Sequence, residues 1–154
     1  MSIAKQKAHE PIYTLPSAPH SPVDPQLHEV TPDEAFRLVS NPDFVFIDIR
    51  SGAEHFFVGC PPQAINIPWQ DAPDFEINPD FVQEVLEVVK RKDRPVLLIC
   101  RSGHRSIDAG NLLIQEGFQL VYHVLEGFEG DQDNHQHRSS INGWRFRGLP
   151  WIQC

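Results

Sequence analysis

One cysteine of this chain follows a run of apolar residues and opens a short polar segment. The run is PVLLI at residues 95–99, and the segment is CRSGHRS at residues 100–106. Backbone N–H groups at a helix start stabilise a cysteine thiolate, and neighbouring arginines add full positive charge. Gly103 allows the backbone to turn tightly, so that N–H groups point inward. The segment therefore predicts that Cys100 is a nucleophile in a loop that attracts anions.

The elements around Cys100 are predicted from apolar spacing. Four apolar residues in a row before the cysteine predict a strand that is covered on both faces, as parallel strands are. A helix is predicted over residues 104–115, with Ala109, Leu112 and Leu113 inward and Gly117 after its end. Ligands of parallel sheets bind beyond the carboxyl ends of the strands. Cys100 lies at such an end.

The rest of the chain alternates strands with helices. Thr31 and Glu34 form a capping box around Pro32, which predicts a short helix. A helical turn is predicted over residues 52–58 and a longer helix from residue 78. Further strands are predicted over residues 44–48 and 120–124. This alternation predicts an α/β fold with a mostly parallel sheet.

The segment from Cys100 to Ser106 resembles the active-site loop of the rhodanese family. Further resemblances follow in the order of that family: VFIDIR at 45–50, Glu54, Gly59, AINIP at 64–68, VLEGF at 124–128 and GWRFRGLPW at 143–151. The chain departs from the family pattern at residues 59–64, GCPPQA, where a glycine is replaced and a second thiol, Cys60, appears. The resemblance implies a rhodanese-like fold with helices on both faces of the central sheet.

The resemblance also implies an activity, the transfer of sulfane sulfur from a small anionic donor such as thiosulfate to cyanide or a thiol. Cys100 would carry the sulfur as a persulfide, without a cofactor or a metal. The substrate-binding residues that it implies are Arg101, Ser102, Gly103, His104 and Arg105. Asp48 and Arg50 are expected to form a structural pair, because arginine–carboxylate pairs commonly hold loops.

Two other functions use the same loop. The persulfide could be passed to a protein sulfur acceptor, which would make the chain a sulfur carrier. A phosphatase or an arsenate reductase of the same fold would need five residues between its cysteine and its arginine. Here Arg105 comes one residue earlier, and the shorter loop suits a sulfur atom better than a phosphate.

Composition narrows the class of protein. The 154 residues suit one domain, and 13 basic against 21 acidic residues give a formal net charge of −8, which disfavours nucleic-acid binding. Three cysteines do not make a disulfide framework, and reduced thiols fit a cytoplasmic protein. No segment has the roughly 20 apolar residues that cross a bilayer. No membrane partner is therefore expected.

Two segments flank the predicted core. Residues 1–28 are rich in proline and are expected to be a disordered or extended tail. Residues 29–154 are expected to form a single domain that includes a C-terminal extension, residues 131–154. The acidic and histidine-rich segment 131–138 lacks the calcium-loop pattern and is expected to be a solvated loop. Trp144 and Trp151 are expected to cover the edge of the core.

Overall fold

The computed structural model describes residues 25–154, which fold around one sheet of five parallel strands. The strand order is β1-β5-β4-β2-β3. The strands are β1 Leu27–Val30, β2 Val45–Asp48, β3 Ile65–Asn66, β4 Val96–Ile99 and β5 Val121–Val124. The helices are α1 Pro32–Leu38, a π-helical turn Glu54–Val58, α2 Phe81–Val89 and α3 Arg105–Gln115. The α/β architecture expected from the alternation of elements is confirmed.

Both faces of the sheet are buried, and alternate strand residues serve the two faces. Val96 and Leu98 of β4 face a core that α2 and α3 cover. Leu97 and Ile99 face a second core, which contains Ala35 of α1 and residues of the C-terminal segment. Every residue of β4 is fully buried because the strand lies in the middle of the sheet. Helices therefore cover both faces, as the family resemblance implied.

The helix boundaries follow from local hydrogen bonds. The capping box of α1 is present, since Thr31 N–H donates to Glu34 Oε1 at 2.8 Å and Glu34 N–H donates to Thr31 Oγ1 at 3.2 Å. Helix α2 begins at Phe81, later than residue 78. Asn78 Oδ1 accepts the N–H of Asp80 at 2.9 Å, and this turn delays the helix.

Two short strands were not predicted. Strand β1 is Leu-His-Glu-Val, a polar edge strand with no apolar run, and it owes its place to parallel pairing with β5. Its first residue, Leu27, lies in the segment that was expected to be a tail, so the ordered sheet begins two residues before residue 29. Residues 1–24, the rest of the expected tail, lie outside the described residues. Strand β3 has only two residues, too few to show periodicity.

The C-terminal segment, residues 131–154, is built of turns and packs on the rest of the domain. Trp144 is fully buried in the second core, deeper than an edge position, whereas Trp151 is 39% exposed. Ile152 and Cys60 form an antiparallel bridge, with N–H to oxygen distances of 2.9 Å in both directions. The departure from the family pattern forms a turn at residues 62–63, which the Ala64 N–H closes on the Pro61 carbonyl at 3.1 Å, and the C-terminal segment packs against Gly59. No helix within residues 25–154 is long and apolar enough to span a membrane.

Candidate active site

Cys100 lies immediately after β4, at the carboxyl edge of the sheet. Its side chain is nearly fully buried, with 1% exposure. The Gly103 N–H donates a hydrogen bond to Sγ at 3.2 Å, and the thiol lies 3.4 Å from Ser106 Oγ, to which it donates. The predicted loop of inward N–H groups thus supplies one backbone donor to the sulfur and one hydroxyl partner, at the start of α3.

The turn that follows β5 fixes the shape of this loop. Gly103 has φ of 95°, and a Cβ atom there would collide with the carbonyl oxygen of Leu125. Only glycine fits so close to that backbone. The Arg101 carbonyl accepts N–H groups from Glu129 at 2.9 Å and from Gly130 at 3.1 Å. The loop and the turn therefore hold each other by main-chain contacts.

A buried polar chain leads away from the thiol through Ser106. The Ser106 Oγ lies 2.8 Å from His123 Nδ1, and both side chains are buried. The other ring nitrogen of His123 is buried without a hydrogen-bond partner in the described part of the chain, and a Glu29 carboxylate oxygen lies 3.6 Å from it. Burial lowers the pKa of His123, and Glu29 opposes this only in part, so the neutral ring is favoured. When the neutral ring carries its proton on Nε2, Nδ1 accepts the Ser106 hydroxyl proton and Ser106 Oγ accepts from the thiol.

Arg105, a predicted anion-binding residue, is tied to a carboxylate. Its guanidinium donates to both oxygens of Glu54, at 3.0 and 2.9 Å. Burial alone would raise the pKa of Glu54, but the hydrogen bonds from Arg105 outweigh it and lower that pKa. Likewise burial would lower the pKa of Arg105, and the Glu54 carboxylate raises it. Both groups are therefore charged, and much of the Arg105 charge is neutralised before any ligand arrives.

The other predicted binding residues take different positions. Arg101 is exposed and lines the pocket described below. The side chains of Ser102 and His104 meet each other, with 3.0 Å between Oγ and Nδ1, and His104 is exposed. Of the predicted binding residues, Arg101 and Arg105 line that pocket, and Gly103 contacts the Cys100 sulfur through its N–H; Ser102 and His104, like Cys100 and Gly103, are not part of the pocket wall.

A pocket of about 580 Å³ opens beside the Cys100 loop. Arginine and glutamate side chains dominate its wall, which is formed by Ser51, Glu54, Val58, Phe75, Arg101, Arg105, Glu129 and Arg138. Arg101 and Arg105 belong to the Cys100 loop, whereas Arg138 belongs to the C-terminal segment. The pocket is therefore shared between the loop and a part of the chain that follows β5 by several turns.

A buried ion pair supports the strand next to the loop. Arg50 donates to Asp48 at 2.9 Å through Nε and at 2.6 Å through Nη2, and both side chains are fully buried. Burial alone would raise the pKa of Asp48, but His55 and Arg50 lower it through hydrogen bonds. Arg50 also donates to the Gly59 carbonyl at 2.6 Å and stacks over Phe128. The pair holds β2 to two turns, as expected of a structural pair.

The two other thiols lie apart from this pocket. Cys60 is buried, and burial together with the Asp48 charge raises the pKa of its thiol. Cys154 is exposed, and both cysteines line a smaller pocket of about 230 Å³. A raised pKa leaves less thiolate at neutral pH, so Cys60 is a poor nucleophile.

Segment 131–138 is ordered by its own side chains. The Asp133 carboxylate accepts N–H groups from His135 at 2.8 Å and His137 at 2.9 Å and the Ser140 hydroxyl at 2.6 Å. These bonds lower the pKa of Asp133 to about 2. Within residues 25–154 no group of three or more His, Cys, Asp or Glu side chains is arranged to hold a metal ion. The segment is a tied loop that ends at Arg138.

Sequence reasoning missed four residues of this site: Glu54 as the partner of Arg105, Ser106 and His123 behind the thiol, and Arg138 in the pocket wall. In the sequence, Glu54 is marked only by its place in the family pattern. Its distance from Arg105 in sequence, 51 residues, hides the contact. His123 lies in the middle of β5, where strand alternation indicates a core position but not a polar partner. Nothing in the sequence around Arg138 indicates a site.

Comparisons with known proteins agree on one family. A family profile described as "Rhodanese-like domain" matches residues 31–134. An uncharacterized protein of Rickettsia conorii is 32% identical over 120 residues, covering 74% of this chain and 87% of that protein. The thiosulfate sulfurtransferase GlpE of Actinobacillus succinogenes is 30% identical over 122 residues, covering 79% of this chain and 87% of that protein.

A solved structure resembles the fold closely. The crystal structure of an M. tuberculosis protein superposes with a TM-score of 0.73 at 37% identity, covering 82% of this chain and 98% of that chain. The match covers nearly all of that protein, so the likeness extends over a whole domain. The family profile ends at residue 134, four residues before Arg138.

Proposed function

Because the chain belongs to the family of rhodanese-like domains, we propose that it is a sulfurtransferase that carries sulfane sulfur on Cys100. In the first half of the reaction the Cys100 thiolate attacks the outer sulfur of thiosulfate. The S–S bond of the donor breaks, sulfite leaves with the electron pair, and a cysteine persulfide anion forms. In the second half cyanide or a thiolate attacks the outer sulfur of the persulfide and restores the thiolate. Covalent catalysis in two steps predicts ping-pong kinetics.

The observation that carries this proposal is the position of Cys100 at the carboxyl end of β4, with the Gly103 N–H directed at its sulfur. A backbone donor in a buried site stabilises negative charge on sulfur without reorganisation. Ser106, which also contacts the sulfur, can turn its hydroxyl toward a thiolate. Both groups can therefore donate a hydrogen bond to the thiolate when it forms.

Arg101 and Arg105 have different roles in this mechanism. Arg101 is exposed on the pocket wall, and we assign it to the anionic donor. Arg105 is bound by Glu54, so we assign it mainly to holding the π-helical turn against the Cys100 loop. Ser102 and His104 lie outside the pocket wall, and neither is assigned a contact with the donor. Within the Cys100 loop, the proposed donor contacts are therefore the Arg101 side chain and the loop backbone.

A protein acceptor would use the same persulfide, so a role as sulfur carrier differs only in the second half of the reaction. Three unpaired thiols fit a reducing location, and we place the chain in the cytoplasm on that ground. Donor charging is common to both roles, and it is therefore the step to test first.

The test is intact mass after incubation with thiosulfate in the absence of an acceptor. We expect the protein to gain one sulfur atom and to lose it when cyanide is added, with formation of thiocyanate. Cys100→Ser should abolish both, whereas Cys60→Ser and Cys154→Ser should keep both. These two variants are the matched controls, because each substitution removes one thiol that lies outside the Cys100 loop. Wild-type turnover by Cys100→Ser would refute the proposal.

A further inference from the structure

Two arginines of the pocket have no carboxylate partner within residues 25–154. Of the five charged residues in its wall, Arg105 and Glu54 neutralise each other. Glu129 faces Arg145, which lies 4.0 Å from it outside the wall. Within residues 25–154 neither Arg101 nor Arg138 forms an ion pair with a carboxylate. The pocket therefore presents two positive charges, those of Arg101 and Arg138, that no ion pair compensates, beside the Glu129 carboxylate.

Arg138 is held in place by main-chain contacts rather than by a counter-charge. Its Nη1 donates to the carbonyl oxygen of Gly130 at 2.7 Å. On the next residue, Ser139 N–H donates to the Glu129 carbonyl at 2.7 Å. Glu129 and Gly130 are the residues whose N–H groups bind the Arg101 carbonyl. The backbone that carries Arg138 is thus attached to the same turn that supports the Cys100 loop.

The loop before Arg138 is organised so that it does not need a ligand to order it. Asp133 accepts three hydrogen bonds from the residues on either side of Arg138, namely His135, His137 and Ser140. Arg145 donates to the Ser139 hydroxyl at 2.9 and 3.1 Å, which fixes the other flank. A cation that is positioned in advance loses less entropy on binding an anion. Arg138 is therefore a prepared binding group.

We propose that Arg138 is a specificity-determining residue, which together with Arg101 selects doubly charged sulfur donors over singly charged ones. This inference rests on the proposed sulfurtransferase function. A dianion interacts with both uncompensated charges, so removal of one costs it more than it costs a monoanion. Arg138 lies in the C-terminal segment, four residues beyond the end of the family-profile match, so this selectivity depends on the C-terminal segment.

The test compares two donors that undergo the same sulfur transfer. Thiosulfate is a dianion and releases sulfite, whereas methanethiosulfonate is a monoanion and releases methanesulfinate; in each case the Cys100 thiolate takes one sulfur atom and the charge balances. For Arg138→Ala we expect kcat/KM for thiosulfate to fall about tenfold and kcat/KM for methanethiosulfonate to fall about threefold. The tenfold loss corresponds to about 1.4 kcal/mol. Arg138→Lys should lose less than Arg138→Ala for thiosulfate, because it keeps the charge.

Ping-pong kinetics supply an internal control. The kcat/KM for cyanide reports only the second half of the reaction, and cyanide is a monoanion, so Arg138→Ala should lower it by no more than about threefold. Arg91→Ala is the matched external control, because it also removes one positive charge but lies before β4, at the opposite edge of the sheet. Arg91→Ala should leave kcat/KM unchanged for both donors. The preference of the wild type for thiosulfate should also weaken as salt rises.

Several results would overturn the inference. Equal losses for both donors, or a loss for cyanide as large as that for thiosulfate, would make Arg138 a structural residue without selectivity. A second measurement does not depend on turnover: sulfate should slow alkylation of Cys100 by iodoacetamide, and Arg138→Ala should weaken that protection at least threefold. Unchanged protection would refute the role of Arg138. Wild-type protein that binds sulfate in this way but transfers no sulfur would refute the proposed function instead and leave the dianion site standing.

Discussion

Arg105 donates two hydrogen bonds to Glu54, one to each carboxylate oxygen, at 3.0 and 2.9 Å. The two residues are 51 positions apart, and they join the π-helical turn to the first residue of α3. Two parallel bonds between a guanidinium and a carboxylate are specific in geometry as well as in charge. Since both side chains are about four-fifths buried, loss of one partner leaves the other charged and poorly solvated.

This pair predicts a strong coupling in a double-mutant cycle. Arg105→Ala and Glu54→Ala should each lower the free energy of unfolding, and the double variant should lose less than the sum, with a coupling of about 1–3 kcal/mol. Urea denaturation of the four proteins measures it. The exposed pair Arg91–Asp93 is the control, and its coupling should be below about 1 kcal/mol. Additive effects at the Glu54 pair would contradict its structural role.

The same pair predicts an effect on the donor. Arg105→Ala leaves the Glu54 carboxylate uncompensated in the pocket wall, where it repels thiosulfate. We therefore expect kcat/KM for thiosulfate to fall by at least tenfold in Arg105→Ala and to recover in part in the double variant with Glu54→Gln. Steady-state thiocyanate formation measures both. If the double variant is no better than Arg105→Ala, Arg105 binds the donor directly.

Ser106 is predicted to support the reactivity of the Cys100 thiol. Its hydroxyl lies 3.4 Å from Sγ and 2.8 Å from His123 Nδ1, so Ser106→Ala removes a buried polar contact on both sides. A hydrogen bond of about 1 kcal/mol corresponds to a roughly fivefold slower alkylation by iodoacetamide at pH 7. Ser106→Thr keeps the hydroxyl and should react at nearly the wild-type rate. Ser102→Ala, which alters only the contact with exposed His104, should have no effect.

The stability of the fold should depend on pH through His123. Burial lowers the pKa of His123 in the folded protein below its ordinary value of 6.5, so the unfolded chain takes up the proton first. The contribution of the neutral His123 ring to the free energy of unfolding is therefore complete above about pH 6.5. It declines as the pH falls below that value, by at most about 1.4 kcal/mol per pH unit. Urea titrations from pH 7 to 5 should show a shallower decline for His123→Asn. Equal slopes for the wild type and His123→Asn would mean that the His123 ring takes up its proton as readily in the folded protein as in the unfolded chain.

The length of the Cys100 loop is predicted to decide between sulfur and phosphate. A glycine inserted after Gly103 gives the spacing of a phosphatase, with five residues between Cys100 and the arginine. The insertion should also displace Arg105 from Glu54, and we therefore expect loss of sulfur transfer. Because the N–H groups would then surround a larger anion, we expect weak hydrolysis of nitrophenyl phosphate. Thiocyanate and nitrophenol release are measured in parallel. Faster release of nitrophenol than of thiocyanate by the wild type would favour the phosphatase alternative.

The C-terminal segment is predicted to be part of the cooperative unit. Trp144 is fully buried in the second core, and its indole N–H donates to the Pro150 carbonyl at 2.8 Å. Trp144→Ala should lower the free energy of unfolding by about 3–5 kcal/mol. The partly exposed Trp151 is the control, and Trp151→Ala should cost clearly less. A small loss at Trp144 would mean that the segment packs on a domain that is already complete.

Local signals predicted most of the fold. The capping box at Thr31 and the apolar stripes of α2 and α3 correctly marked the helices, and the apolar run before Cys100 correctly marked β4. These signals depend on neighbours within one or two turns of chain, so composition and spacing are enough to predict them. The sequence does not predict strands β1 and β3, because the residues of β1 are polar and β3 has too few residues. Both strands form only by pairing with a partner strand.

The sequence by itself determined the chemistry at the centre of the site: a thiol after a buried strand, a glycine that permits the tight loop, and arginines beside it. Only the tertiary structure decided which arginines are available to an anion. Glu54, 51 residues from Arg105, neutralises it, and Arg138 reaches the pocket from the C-terminal segment. Charge is a property of a residue, whereas its compensation depends on contacts between residues far apart in sequence. Those contacts exist only after the sheet has brought its loops to one edge.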